Sequence, residues 1–263
     1  MHVVIVGCGR VGSTLGRELV AAGHTVAVVD RKSEAFSRLG ESFSGQKIAG
    51  IGFDRDILIE AGIEKAVAAT KSYSAQLLLS YIFVSIWVNE KIDLSKLIKE
   101  TKVQVDNISV VEKVVDDFDH KHGVTVMGRG FAYANAHEAA LKIQETLKVP
   151  VASFSSADYL HGPISSLTQN SRVILLSPGN SADESISATV KKTREITNNI
   201  YWIGTGFKKS GNEVLIGGST GLGEAESVIA DAVVLQQFAM LLAIKNGLNP
   251  DAPIGLLKVT QTI

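Results

Sequence analysis

The stretch His2 to Asp30 reads HVVIVGCGRVGSTLGRELVAAGHTVAVVD. Its apolar run, Val3 to Val6, is too short for a helix and suits a strand buried on both faces. Gly7, Gly9 and Gly12 follow in the G-x-G-x-x-G spacing. The first permits a tight turn, the second lets a pyrophosphate approach the backbone, and the third lets a helix pack on the strand. That helix starts through Arg10 and Val11, and its unpaired N–H groups and positive dipole end favour an anion without any side chain. Val26, Val28 and Val29 form a second strand that ends on Asp30, eighteen residues past Gly12, where a carboxylate accepts hydrogen bonds from an adenosine ribose. Strand, glycines, helix and acid in this order predict a dinucleotide or adenosine site. A tight turn whose ligand has been lost is the alternative.

Around this front, composition sets the bounds. A chain of 263 residues can bury a sizeable core as one large domain or two modest ones. Its formal net charge of -1, with no run of Lys or Arg, argues against nucleic acid or an anionic membrane as the main partner. The single cysteine, Cys8, lies inside the glycine loop, so no disulfide framework and no cysteine metal cluster can form within one chain. A reducing cytoplasm fits, and the N-terminus shows no export signal. Leu77 to Val88, LLLSYIFVSIWV, is apolar apart from two serines. It falls short of the roughly 17–25 residues that cross a bilayer, and reads as a buried or subunit-facing helix.

After Asp30, a polar helical segment from Ser33 to Leu39 leads through Gly45 into a third strand, Lys47 to Ile51. Asp54 caps a short helix, Asp56 to Ala61, and Ala66 to Ala69 reads as a fourth strand. The segments VIVGCGRVGSTLGRELVAAGHTVAVVD and GIGFDRDILIEAGIE resemble the nucleotide-binding half of RCK, or Trk-type potassium-uptake, domains. That resemblance implies a Rossmann-like fold binding NAD(H) or an adenine nucleotide as a switch ligand. It places the contacts on the backbone from Gly7 to Gly12, including Arg10 and Val11, on Asp30 with Arg31 beside it, and on Gly52 and Asp54. Arg31 also reads as a solvated surface residue.

From Glu64 the text EKAVAATKSYSAQLLL is similar instead to the last strand and helix of the first sugar isomerase (SIS) domain in the glucosamine-6-phosphate synthase family. The similarity runs on to the C-terminus. Helices are expected at Leu94–Val105, Ile108–Phe118, Tyr133–Leu147 and Val228–Lys245. Strands at Val124–Met127, Val151–Phe154, Val173–Ser177 and Ile200–Ile203 alternate with helical stretches, the rhythm of a parallel doubly wound sheet, and Glu213–Gly217 adds another.

In that family the motif here written Glu138-Ala139-Ala140-Leu141-Lys142-Ile143-Gln144-Glu145 carries the base. The resemblance implies that Glu145 moves a proton between C1 and C2 of an open-chain hexose phosphate, with Lys142 beside it. It matches His161 to a ring-opening histidine and Lys258 to a tail lysine that closes over substrate. The serine- and threonine-rich phosphate loops of the first SIS domain have no counterpart in the replaced front, so Glu145 and Lys142 also read as an ordinary i, i+3 pair. Ser219-Thr220-Gly221 reads as an anion turn or a plain polar turn.

The expected architecture is α/β with doubly wound parallel sheets. A Rossmann-like hybrid domain, residues 1–90 with strand order 3-2-1-4, precedes a flavodoxin-like SIS domain, residues 91–263. Ile82-Phe83, Ile86-Trp87 and Ile254 read as repacking choices near the join and tail. A front of one family on the back of another reads as an engineered chimera without turnover that retains weak NAD(H) or adenine nucleotide binding. A hexose 6-phosphate isomerase or aminosugar deaminase is the alternative. The expected partners are a second copy, through SIS surfaces including the Leu77–Val88 helix, and a nucleotide or sugar phosphate ligand.

Overall fold

The computed structural model describes residues 2–52, 54–62, 68–179, 182–206 and 209–256. Two compact units divide the chain, Met1–Lys65 and Ala66–Ile263.

In the first unit the valine-rich runs form three parallel strands, β1 (His2–Val6), β2 (Thr25–Asp30) and β3 (Gln46–Ala49). They lie in the order β1-β2-β3, with Val3 opposite Val26 and Val29 opposite Ile48. Alternation along them feeds two small cores. Ile5, Val26 and Val28 pack with Leu39 and Phe43 on the side of α1 (Arg10–Ala21), while Ala27, Val29 and Ile48 pack with Ala61 and Ile57 on the side of α2 (Arg55–Glu60). Ser33–Leu39 closes as a 3-10 helix, since Ser37 Oγ donates to the Glu34 carbonyl at 2.7 Å and so competes with the α-helical ladder. The expected fourth strand does not form on the residues that can be seen. Residues 63–67 lie outside the described residues, Ala68 is in a bend and Ala69 is irregular, so the described sheet stops at order 3-2-1.

The second unit opens with α3 (Lys71–Trp87), α4 (Ser95–Asp106) and α5 (Ile108–Asp117). Then β4 (Val124–Gly128), α6 (Ala132–Leu147), β5 (Val151–Ser155), the short α7 (Ser156–Tyr159), β6 (Arg172–Leu176), α8 (Ala182–Ile196), β7 (Ile200–Ile203), β8 (Val214–Gly217) and α9 (Glu224–Lys245) follow. The sheet is fully parallel in the order β5-β4-β6-β7-β8, the flavodoxin-like order. Residues alternate to its two faces. Val124, Val126, Ile174, Leu176, Tyr201 and Ile203 meet α5, α6 and α9, while Met127, Val173, Leu175 and Trp202 meet Tyr159 of α7 and Ile186 and Val190 of α8. Phe118 anchors the larger core edge-on to Tyr201 and Phe238, with ring centroids 4.8 and 5.0 Å away. Helix α9 is long and apolar enough to cross a membrane, yet most of it is buried as the central core helix.

Helix α3, expected in the first domain, packs through Leu77, Leu78 and Tyr81 with Leu97, Ile229 and Ala230 of α4 and α9, and so belongs to the second unit. Only Ser85 of its residues is fully buried. Phe83, Ile86, Trp87 and Ile254, expected to repack a core, are instead exposed.

Parallel β7 and β8 are joined by residues 204–213 alone, short for a parallel crossover. Glu213 fastens this link. It accepts from Arg194 Nε at 2.6 Å and Nη2 at 3.0 Å, from Trp202 Nε1 at 2.9 Å and from the Ser210 amide at 2.8 Å.

Candidate functional site

The glycine loop sits where β1 ends and α1 begins. The Gly7 amide continues the β1–β2 ladder by donating to the Val29 carbonyl at 2.7 Å, and its φ of +103°, a conformation L side chains rarely adopt, then turns the chain off the strand. A Cβ on Gly12 would overlap the Gly7 carbonyl oxygen, which is how closely α1 approaches the loop. A Cβ on Gly9 would meet nothing within 4 Å, so open space faces the backbone at the N-cap of α1. Arg10 and Val11, the first helical residues, are exposed, and no acidic side chain stands in the first turn. This is the arrangement that an anion needs: N–H groups at a positive dipole end with room in front of them.

Asp30 occupies the end of β2 as expected, with a second task that its position in sequence did not reveal. Its Oδ2 accepts from the Cys8 amide at 2.7 Å and its Oδ1 from the Lys32 amide at 2.9 Å. The bonds from Lys32 and Cys8 hold its carboxyl below the ordinary aspartate value. Each oxygen retains a lone pair, so the residue can fix the loop and still accept from a ribose hydroxyl. The buried Cys8 thiol donates to the Ala35 carbonyl at 3.3 Å, and burial raises its pKa. Arg31 is exposed. Gly52 follows β3, where a Cβ would overlap the Val6 side chain, and Asp54 Oδ1 accepts from the Ile57 amide at 3.3 Å to cap α2. These two residues therefore have structural reasons of their own.

On α6 the expected isomerase residues form part of a longer polar ladder. Lys142 Nζ lies 3.0 Å from Glu145 Oε2 and 3.4 Å from Glu138 Oε1, with its side chain almost wholly buried. One turn earlier, Asn135 accepts from Tyr73 Oη at 2.8 Å and donates to the Val228 carbonyl at 2.8 Å, linking α3, α6 and α9. Burial, then the charge of Glu138, raises the Tyr73 pKa. Glu138 was passed over in the sequence reading although it stands at i−4 from Lys142, a spacing that brings side chains together on a helix. His161 lies exposed in the turn after α7, its amide donating to the Asp158 carbonyl at 3.1 Å. No hydrogen bond or ion pair among the described residues joins it to Glu145 or Lys142. Lys258 lies outside the described residues.

The Ser219-Thr220-Gly221 turn is not an anion cradle. The Ser219 amide donates to Asp231 Oδ1 at 2.6 Å, and the Thr220 amide and hydroxyl donate to Glu100 Oε2 at 3.2 and 3.3 Å. Two carboxyl groups already occupy the Ser219 and Thr220 donors that a phosphate would need, and the charge of Glu100 repels one. Asp231 is itself a group that sequence reasoning missed. It is buried on α9, and burial pushes its carboxyl up to about 7 against the lowering effect of Ser219. A single acid within the apolar run VIADAVVLQQF was the available signal.

Residues 3–91 match the TrkA-N domain family and residues 118–206 the SIS domain family, so a TrkA-N domain stands at the N-terminal end and a SIS domain follows it. A Trk system potassium uptake protein TrkA of Streptomyces coelicolor is 62% identical over 68 residues, covering 26% of this chain and 30% of that protein. Glutamine--fructose-6-phosphate aminotransferase of Aquifex aeolicus is 30% identical over 225 residues, 80% of this chain and 37% of the relative, and the Escherichia coli enzyme of that name is 27% identical over 222 residues. The chain thus spans 30% to 37% of the length of these curated relatives. Among solved structures, the C-terminal domain of glucosamine-fructose-6-phosphate aminotransferase from Francisella tularensis superposes with a TM-score of 0.66 at 16% identity, covering 95% of this chain and 86% of that one. Tagatose-6-phosphate ketose/aldose isomerase from Escherichia coli gives 0.60 at 14% identity, with 99% and 86% covered. At such identities these likenesses show the α/β fold.

Proposed function

We propose that this chain, a TrkA-N domain followed by a SIS domain, is an engineered chimera that binds NAD(H) or an adenine nucleotide through its first unit and turns over no substrate. The observation that carries this reading is the contrast within the glycine loop. Gly12 is closed against Gly7, whereas Gly9 faces open space at the start of α1. The ligand's pyrophosphate would rest on the amides between Gly9 and Gly12, and its adenosine ribose against Asp30. The match of two different families along one chain, TrkA-N over residues 3–91 and SIS over residues 118–206, supports a fusion. A reducing cytoplasm is the setting that a buried, unoxidised Cys8 fits.

A second reading has its own observation, the Glu138–Lys142–Glu145 ladder. It takes the second unit for a hexose 6-phosphate isomerase or aminosugar deaminase, with Glu145 as the proton carrier between C1 and C2 and Lys142 holding its charge. Against it stand the surface turn of His161 and the occupied amides of Ser219 and Thr220. Titration calorimetry with NADH, ATP and fructose 6-phosphate separates the two. The first reading expects nucleotide heat that Gly9→Val or Asp30→Ala weakens by about tenfold or more, and no sugar phosphate heat. Fructose 6-phosphate heat that disappears in Glu145→Gln overturns it in favour of the second.

A further inference from the structure

The second unit holds a groove of about 350 Å³ that neither the nucleotide nor the hexose phosphate chemistry above uses. It lies at the amino ends of β4, β5 and β6, opposite the strand ends that carry the Gly128-Arg129-Gly130 turn. Val124, Pro150, Val151 and Leu167 give it apolar walls. Its polar groups are neutral: the hydroxyls of Thr125, Ser166, Thr168 and Ser171 and the carboxamide of Gln144. No Lys, Arg, Asp or Glu lines it among the described residues, and its imidazole, that of His122, lies with Nε2 3.4 Å from Asp119 Oδ2.

Ser166 Oγ donates to the Pro163 carbonyl at 2.8 Å and Gln144 Nε2 to the Val151 carbonyl at 2.6 Å, so each side chain keeps an oxygen that can accept from a ligand. Ser171 Oγ accepts from the Thr168 amide at 3.0 Å. Tyr159 stands behind this lining, packed with Met127 on the face of β4 that Thr125 shares. Its side chain is wholly buried, and its hydroxyl, close to those of Thr125 and Ser166, meets hydrogen-bond geometry with neither. Burial raises the phenol pKa more than these two hydroxyls lower it, so the group is a donor at neutral pH. A buried donor left unpaired is costly, and one beside a polar groove points to a partner that enters the groove.

We infer that this groove binds a small neutral ring polyol, a monosaccharide or a cyclitol. Charge selects against the alternatives, since an anion finds no cation on the walls and a cation no carboxylate. Size excludes a nucleotide, because the volume stands near the lower end of the ~300–1,000 Å³ of small-molecule sites. A polyol hydroxyl both donates and accepts, as a lining of hydroxyls and one carboxamide requires, and the apolar walls take the C–H face of its ring. Thr125 links the ligand to Tyr159. Once its hydroxyl donates to the polyol, its oxygen is free to accept from Tyr159 Oη, and the orphaned donor gains its partner on binding.

Titration of the ¹⁵N-labelled full chain with myo-inositol and with D-fructose is expected to give saturable shifts of the Gly123, Ala152, Leu167 and Ser171 amides in the millimolar range. Thr125→Val, which keeps the shape and removes the hydroxyl, and Ala152→Phe, which fills the groove from an exposed position, are each expected to weaken binding by about tenfold. Tyr159→Phe removes only the unpartnered oxygen. It is expected to weaken binding by about threefold or more while the melting temperature of the free chain stays equal or rises, whereas a tyrosine with a purely structural role would lower it. Three results overturn the inference. One is shifts that do not saturate, and another is saturable groove shifts that Thr125→Val and Ala152→Phe leave unchanged. The third is tighter binding of fructose 6-phosphate than of D-fructose at the same amides, which would make the ligand an anion.

Discussion

Both units end parallel strands in glycine turns, and the two sets of turns do opposite things. At the end of β1 the loop keeps open space before Gly9, and Asp30 holds it from behind by the Cys8 amide. At the ends of β6, β7 and β8 the turns interlock instead. A Cβ on Gly204 would overlap the Ser177 carbonyl oxygen and one on Gly206 the Gly179 backbone, while Asp231 and Glu100 take the amides of Ser219 and Thr220. The lesson is that a glycine at a strand end signals a ligand only when nothing of the protein fills the volume where its side chain would be. Sequence spacing alone does not separate the two cases.

The comparison is broken most directly at Gly204. At φ +93° and against the Ser177 carbonyl, Gly204→Val is expected to remove cooperative folding of the second unit, a loss above about 4 kcal/mol. Gly9→Ala is expected to change stability by less than about 1 kcal/mol. Denaturant unfolding followed by Trp202 fluorescence for the second unit, and peptide hydrogen exchange for the first, read the two. Similar costs at both positions would erase the distinction.

Next in size is Lys142→Ala. It leaves Glu138 and Glu145 together in a mostly buried site without their cation, and is expected to cost about 3–5 kcal/mol in the same unfolding assay. A cost below about 1 kcal/mol would show that the ladder relaxes into solvent.

Asp231 gives a pH-dependent test of the closed turns. Its folded carboxyl lies at about 7 against 3.8 in the unfolded chain, so folding takes up a proton between those values. The stability it contributes is complete below the lower value and is lost as pH rises through the upper one. Asp231→Asn keeps an oxygen for the Ser219 amide and never ionises. Its melting temperature is expected to exceed that of the parent by several degrees at about pH 8, with the gap closing at about pH 5. Equal gaps at both pH values would remove Asp231 from this role. The smallest effect is at the open loop, where Asp30→Ala removes the side-chain acceptor of two backbone amides at a partly exposed site and is expected to cost about 1 kcal/mol, measured by exchange of the Cys8 amide.

The strands of the second unit were legible because Val124–Gly128 and Ile200–Ile203 are short β-branched or aromatic runs between breakers, and burial on both faces leaves such a run little choice. In the first unit β2, with four buried residues in a row, was legible for the same reason, whereas β1 and β3 hold one buried residue each and were legible from their place around the glycine loop. Side-chain destinations were less so. Phe83 and Trp87 look like core residues in one dimension, and only the placement of α9 decides which side of α3 is inside. The tasks of Asp30 and Asp231 escaped notice because each is defined by an amide distant in sequence, that of Cys8 and that of Ser219. Composition and period carry no information about such pairs.

The knot of donors around Glu213 has a consequence for how the second unit comes apart. Burial alone would push this carboxyl up, but Arg194, Ser210 and Trp202 together hold it below the ordinary glutamate value, so its hold is present near neutrality and is released as acid titrates it. Because it ties the rim strand β8 to β7 and to α8 at one point, protonation frees the outermost strand before the central ones feel any change. Acid unravelling of this sheet thus has a direction, from the β8 margin inward.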